Sequence, residues 1–500
     1  MSRQVLKNGH APRRGGLAAL CALVVAGACA HAAAGGQANA PTTTYAFKGG
    51  NTGAQPTTGL VLAPDGYFYG TNASSAPANS EIVFDYWGGV YRVKPDGSGF
   101  QMLHTFTGHH DGGVPAASVL VGVDGAIYGS SSIGEPAHGS ANGTLWKLTP
   151  GGAFTVLHTF TSADGAYPSV PLLQDKSGTL YGAAAGGGGG GRGVIFSMRP
   201  DGSAYTVLHQ FSGDSHGGGP IGLTFGQDGA LYGVTTECDC AAQTYGTSFT
   251  MAADGSGFRT LHVFDPSIGE GRNPHSGLAQ QGSYFYGTTN GGGKYGDDAG
   301  TVYRFDAAGH FNTVASLQML ADGAYPTSPM LVGANGNLYG TTTAWGPDQE
   351  SGALFEITTK GVLVGVESLA NLGNQAQSGL AIGPDGRLYT PLVVGGPWQA
   401  GAIVSASQDF DKVVPPTPSV QFSINAQPPV ITLGQTVTLT WSSQNATACV
   451  ASGAWSGAEP LAGSQPETPA AVGQYAYTLT CSNAGGSTSV TDNLFVNAPQ

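Results

Sequence analysis

The sequence is poor in charge. Asp, Glu, Lys and Arg make up only 10% of its 500 residues, well under half the share usual in a soluble domain. The shortage is greatest for basic residues: 18 Lys and Arg stand against 31 Asp and Glu, a formal net charge of −13. Arg3, Lys7, Arg13 and Arg14 fall in the first forty positions with no acid among them, so the remainder carries −13 − 4 = −17. A surface of that sign repels phosphate backbones and anionic bilayers, which excludes nucleic acid as a partner. Gly-free and Pro-free stretches are short too, none exceeding thirteen residues between Pro41 and Val414. Helices of ordinary length are thereby excluded. No long apolar run follows the first forty residues, so no transmembrane helix is expected in the mature chain. Cysteine is scarce: beyond residue 40 only Cys238, Cys240, Cys449 and Cys481 remain, with no Cys-x-x-Cys pair and no His cluster at zinc spacing.

What is abundant is glycine, at 82 residues, together with 20 Tyr and 20 Phe. Disordered chains are poor in aromatic residues, so the glycine belongs to an ordered, turn-rich fold. The N-terminus reads differently. A basic start, an apolar run from Leu17 to Ala28 and small-residue Ala-x-Ala patterns at Ala28–Ala32 mark residues 1–32 as a secretory signal peptide. The Arg13-Arg14 pair fits twin-arginine export only weakly, and Cys29 lacks the leucine usual before a lipidated cysteine. Export makes the chain periplasmic, extracellular or surface-located.

A Tyr-Gly pair recurs at Tyr69, Tyr128, Tyr181, Tyr232, Tyr286 and Tyr339, with a degenerate seventh copy at Tyr389-Thr390, at spacings of 59, 53, 51, 54, 53 and 50 residues. Each copy follows a turn signal such as Asp65-Gly66 or Asp385-Gly386, itself preceded by a short apolar run. Two alternating runs around Asp-Gly read as a β-hairpin, because the tight turn needs positive φ. A third strand follows, for example Val90–Val93 or Val302–Phe305, and then a fourth bearing Leu-His-x-Phe at Leu103, Leu157, Leu208 and Leu261. The fifth and sixth copies lose the Leu-His-x-Phe signature. Four short antiparallel strands per fifty residues have the dimensions of a propeller blade. The expected fold class is therefore all-β: a seven-bladed β-propeller over residues 41–412.

The seventh unit stops after its third strand, Ala402–Ser405, whereas Thr44–Phe47 stands alone before the first hairpin. We expect the N-terminal strand to complete the last blade, which removes an open sheet edge. Residues 413–418 form a Pro-rich linker. Residues 419–498, with alternating runs at Val437–Trp441 and Tyr475–Thr480, read as a small immunoglobulin-like β-sandwich. Cys449 and Cys481 are expected to form a disulfide there, contributing about 3–4 kcal/mol on a chain-entropy estimate.

The units Leu157–Pro168, Leu180–Gly182 and Gly300–Phe305 resemble the GloVer repeat, a Gly-rich tandem repeat of exported bacterial proteins, and the resemblance spans roughly residues 41–412. It implies export and supplies no known activity and no functional residues. It also implies a C-terminal surface anchor in many members; no sorting motif or apolar tail precedes Gln500, so attachment by that route is not expected. The tail resembles immunoglobulin-like modules of bacterial secreted proteins.

No set of residues stands out as catalytic, and none as a cofactor or metal site. Gly213–Gly217 matches Gly-x-Ser-x-Gly, but Gly218, Gly219 and Pro220 forbid the helix that a nucleophile elbow needs. His104, His158, His209 and His262 recur once per unit and read as packing or hydrogen-bonding features rather than a metal ring. The loops at Asp111, Asp164 and Asp322 read as turns, with calcium as the alternative. Gly186–Gly191 lacks the Lys and Ser/Thr of a phosphate loop. Cys238 and Cys240 read as a local disulfide. In each Tyr-Gly pair the Tyr is expected to pack between blades, and the Gly to let the neighbouring sheet approach.

These features point to an exported, non-catalytic binding or scaffold protein whose partner is an extracellular glycan or protein. A secreted propeller enzyme acting on polysaccharide, as hydrolase or lyase, is the alternative, and a purely structural envelope component a third reading. The enzyme reading directs attention to acids that break the repeat: Glu237, Glu270, Asp297, Asp298 and Glu350.

Overall fold

The computed structural model describes residues 40–74, 87–134, 142–213, 216–237, 245–296, 298–347, 351–408, 418–444, 446, 448–483 and 486–499. The signal peptide, the Cys238/Cys240 pair and most of the linker lie outside these. The described residues are all-β with almost no helix: the one α-helical segment is the single turn Met319–Asp322.

Each sequence repeat forms one antiparallel sheet. In the first, Val61–Leu62, Phe68–Asn72, Gly89–Val93 and Gln101–Thr105 pair in sequence order. Five further sheets repeat this order. The fifth and sixth repeats keep a fourth strand, Phe311–Ser316 and Leu363–Ser368, although they lack Leu-His-x-Phe. In the last sheet, Ala381–Ile382, Leu388–Leu392 and Ala402–Ala406 are joined by the N-terminal strand Thr42–Ala46, with Thr43 opposite Val404 and Ala46 opposite Ala402. The first repeat in turn packs on this sheet: Phe68, Tyr91, Tyr389 and Ile403 share one buried cluster with Phe47.

The Asp-Gly turns are held by their own side chains. Asp65 Oδ1 accepts from Tyr67 N at 3.1 Å, and Oδ2 accepts from the Tyr69 hydroxyl at 2.8 Å. Asp124 with Tyr128, Asp228 with Tyr232 and Asp385 with Tyr389 repeat the latch. The conserved spacing of turn and tyrosine thus carries a hydrogen bond as well as an apolar ring.

The glycine of the Tyr-Gly pair has a different role from the one expected. It faces the third strand of its own sheet, not the neighbouring sheet. Gly70 lies opposite Tyr91, Gly129 opposite Trp146, Gly182 opposite Phe196 and Gly233 opposite Phe249. A Cβ on Gly182 would stand 2.5 Å from the Phe196 ring. The bare glycine lets a fully buried aromatic lie flat across it, a pairing known to stabilise sheets.

Close approach between sheets falls instead on the glycine that starts the third strand. A Cβ on Gly143, Gly193 or Gly246 would meet the Cδ of Pro168, Pro220 or Pro274 of the next repeat at 2.6, 2.6 and 2.7 Å. Gly401 meets Pro56 in the same way, at 2.4 Å, which links the last repeat to the first. These glycines also hold φ of 93° to 104°, a region costly for other residues.

The histidines stack between sheets. His104 lies on Phe154 (3.7 Å, 3°), His158 on Tyr205, His209 on Phe258 and His262 on Phe311, each ring touching the start of the next repeat's fourth strand. Tyr45 of the N-terminal strand stacks on Phe100 (4.5 Å, 6°) in the equivalent place.

The C-terminal residues form two further sheets. One pairs Ser419–Ile424, Val437–Gln444 and Ala462–Glu467; the other has five strands, including Ala448–Gly453 and Gly473–Asn483. Both contribute to one core containing Leu439, Trp441, Trp455 and Leu479. Cys449 and Cys481 are bonded. They lie directly opposite on adjacent strands of the five-stranded sheet, so the bridge staples one sheet and does not join two.

Candidate functional site

The two hairpin turns of each repeat lie at one end of its sheet. The remaining connections, from second to third strand and from fourth strand to the next repeat, lie at the other. These are the long loops, and they carry most of the sequence variation between repeats.

The connection into each repeat contains a left-handed residue before Pro or Ala: Gln55, Val114, Tyr167, Gly219, Asn273, Tyr325 and Gln375, with φ between 51° and 62°. Such backbone persists only where its surroundings enforce it. Here hydrogen bonds do so. Tyr167 N donates to Asn142 O of the preceding repeat at 2.8 Å, and Ala185 N of its own repeat donates to Tyr167 O at 3.1 Å. Gln55 N donates to Ala400 O at 2.8 Å, tying the first repeat to the last.

Two residues after each left-handed one, the chain turns inward to a shared cavity of about 550 Å³. Thr57, Ala116, Ser169, Ile221, His275, Thr327 and Gln377 line it, one from every repeat at the same position. Among the described residues, no Asp, Glu, Lys or Arg lines it. These described residues offer hydroxyl, amide and backbone groups and one imidazole.

The charged groups are engaged elsewhere on the loop side. Asp111 Oδ2 lies 3.2 Å from His104 Nε2 and accepts from Thr107 N at 3.0 Å; Asp164 lies 3.2 Å from His158 and accepts from Thr161 N at 2.7 Å. Asp322 accepts from Gln318 N at 2.9 Å. The carboxylates read as possible calcium ligands thus cap turns, and two of them orient the stacked histidines. Among the described residues, no group of three His, Cys, Asp or Glu is arranged to hold a metal ion. Burial pushes the His104 and His158 imidazoles below the usual histidine range, against the pull of Asp111 and Asp164.

Of the acids singled out as breaking the repeat, Glu270 does not break it. It sits where Asp111 and Asp164 sit and meets His262 at 2.9 Å, the extra residues before it hiding the match. Glu237 is paired with Arg192, and Asp298 with Arg272. Asp297 and Glu350 lie outside the described residues, as does Ser215 of the Gly-x-Ser-x-Gly match.

Four aromatic side chains of the repeat body are exposed among the described residues: Tyr167, Tyr295, Trp345 and Trp398. All four belong to loop-side connections. Tyr295, Trp345 and Trp398 fall outside the repeating positions, so periodicity could not single them out; Tyr167 sits at the repeated left-handed position, where Tyr325 stands in its own repeat.

No curated protein matches the chain. Among solved structures, the extracellular domain of a protein described as a hybrid two-component system of B. thetaiotaomicron superposes with a TM-score of 0.50 at 9% identity, over 92% of this chain and 58% of that one. The extracellular domain of a one-component system from the same organism gives 0.45 at 11% identity, with the same coverage. This chain thus spans less than two thirds of either. The first likeness extends to the fold, which is β-propeller-like. The profile of the Gloeobacter/Verrucomicrobia repeat matches residues 33–241 and 173–404; the chain belongs to the Gloeobacter/Verrucomicrobia repeat family.

Proposed function

We propose that this chain is an exported binding protein whose repeat body is a seven-bladed propeller and whose loop-side face takes a neutral, polar ligand of the glycan class. The observation that carries this reading is the cavity lined, among the described residues, by uncharged groups from the same position of every repeat, with the exposed aromatics on the same side. Pairing of Thr42–Ala46 with Ala402–Ala406 and the Gly401–Pro56 contact support seven blades in a closed ring. Glycans present hydroxyls that donate and accept, and apolar C–H faces; hydroxyl, amide and aromatic groups answer both.

Export rests on the signal peptide of residues 1–32 and on the family; no helix among the described residues is long and apolar enough to cross a membrane. We read residues 419–498 as an immunoglobulin-like module that spaces or supplements the propeller. A three-stranded sheet facing a five-stranded one, with Val430–Thr432 running parallel to residues 495–497, supports that reading. Binding without chemistry is favoured over hydrolysis, because glycoside cleavage needs a pair of carboxylates at the substrate and none of the described residues lining the cavity is a carboxylate.

The test is a glycan array probed with the purified chain from residue 41 onward, with product analysis on every hit. Retention without turnover is expected. Released product would overturn the reading, and so would retention of proteins with no retention of any glycan.

A further inference from the structure

The seventh repeat differs from the others at its loop end, where it holds a second cavity of about 650 Å³. That volume lies in the range of small-molecule sites. Asn371 and Asn374 line it from the connection into the repeat, and Gln399 from the loop before the third strand. Ser351 reaches it from the sixth repeat, and Thr43 and Ala46 from the N-terminal strand. The N-terminal strand thus forms one wall of the cavity.

In the second, third, fifth and sixth repeats, a carboxylate stands at this place in the loop: Asp111, Asp164, Glu270 and Asp322. In the connection into the seventh, Leu372 takes its position, and Glu367 of the sixth repeat's fourth strand takes the position of the histidine. Among the described residues, none lining the cavity is charged, and no carboxylate–imidazole pair forms at this junction. What replaces it is amide: the Asn374 Oδ1 is buried and makes no hydrogen bond, and the Asn371 side chain makes none among the described residues. Gln399 Nε2 donates to Gly396 O at 3.3 Å, which leaves Oε1 uncommitted. A buried, unpaired amide oxygen costs free energy unless a donor reaches it. Trp398 lies between two lining residues, Pro397 and Gln399, with 46% of its surface exposed and Lys48 Nζ 4.9 Å from its ring centroid.

Primary amides donate and accept in a fixed plane, as vicinal sugar hydroxyls require, and an exposed indole offers a flat apolar face. A short loop leads from Asn374 to Gln377, which lines the central cavity. We propose that the pocket of the seventh repeat is a subsite for a neutral sugar unit, held by Asn371, Asn374 and Gln399 beside Trp398, on an oligosaccharide that continues toward the central cavity. The proposal rests on the glycan-binding reading given above and adds to it a location and a ligand charge.

The experiment prints neutral gluco-, manno-, galacto- and xylo-oligosaccharides beside oligogalacturonates, and follows the best hit by calorimetry. Asn371→Ala, Gln399→Ala and Trp398→Ala probe the pocket; His275→Ala and Gln377→Ala probe the central cavity. All five residues are surface-accessible, and an unchanged thermal midpoint certifies each fold. We expect affinity for a neutral oligosaccharide to fall by about tenfold or more in each pocket variant, and by less in the cavity variants. Unchanged affinity in the pocket variants, with loss in the cavity variants, would overturn the subsite while leaving the binding reading intact. Preference for oligogalacturonate that depends on Lys48 would overturn the neutral assignment. Failure of the unmodified chain to retain any glycan would overturn both.

Discussion

In the third repeat Gly182 lies opposite Phe196; in the seventh, Thr390 lies opposite Val404. His158 of the second repeat stacks on Tyr205 of the third and meets Asp164; Tyr45, in the same place in the seventh, stacks on Phe100 with no carboxylate at the matching loop position. Side chains change in pairs, and the volume between strands is conserved while its chemistry is not. The seventh sheet draws its outer strand from the other end of the chain, so its stability depends on a contact spanning 363 positions, Thr42 with Ser405. The third repeat is built from neighbours in sequence. The comparison teaches that the repeat is a packing solution with interchangeable parts, and that the closing unit is where departures from it accumulate.

The largest effect should come from breaking the closure. Phe47 is fully buried between the first and last sheets, and Phe47→Ala should cost about 3–5 kcal/mol in denaturant unfolding. It should also expose the Ala402–Ala406 edge to association. A loss below about 1 kcal/mol would mean that the N-terminal strand is dispensable and the seventh sheet stands on three strands.

A smaller effect tests the paired exchange. Gly182→Thr should cost about 1–3 kcal/mol by forcing the Phe196 ring aside. Adding Phe196→Val imports the pairing of the seventh repeat, and the double variant should be more stable than the sum of the two losses by about 1 kcal/mol. Additivity in urea unfolding would show that the glycine serves something other than the aromatic.

The smallest effect is with pH. Burial holds His104 and His158 below the histidine value of the unfolded chain, so the unfolded state takes up protons first as pH falls. Their contribution is complete above the unfolded value, near 6.5, and is lost as pH drops through the lower folded values. Tyr45 has no such transition, since burial pushes its hydroxyl up to about 12. The thermal midpoint should fall between about pH 7.5 and about pH 5, and by less in a His104→Phe/His158→Phe variant. An equal fall in both proteins would assign the acid sensitivity to the carboxylates instead.

Much of the fold was legible because its signals are local. Asp-Gly ahead of Tyr-Gly marks a hairpin within eight residues, and repetition turns a weak signal into a strong one. The lone Thr44–Phe47 segment and the missing fourth strand of the last unit pointed to each other by elimination. Less of the site was legible. Glu270 looks like an exception in the sequence because an insertion moves it along the chain, not in space. The partner of the Tyr-Gly glycine is not legible in the sequence, because the aromatic ring it meets lies on the third strand of its own sheet.

The sequence alone determined the strand content, the order of strands within each repeat, the turn chemistry and the pairing of Cys449 with Cys481, since each depends on residues close in the chain or on simple counting. Only the tertiary structure decided which glycines admit a neighbouring sheet, which carboxylates orient histidines, and where a pocket opens. Those outcomes depend on side chains from repeats some fifty residues apart, whose contacts follow from how sheets are stacked and leave no periodic mark of their own.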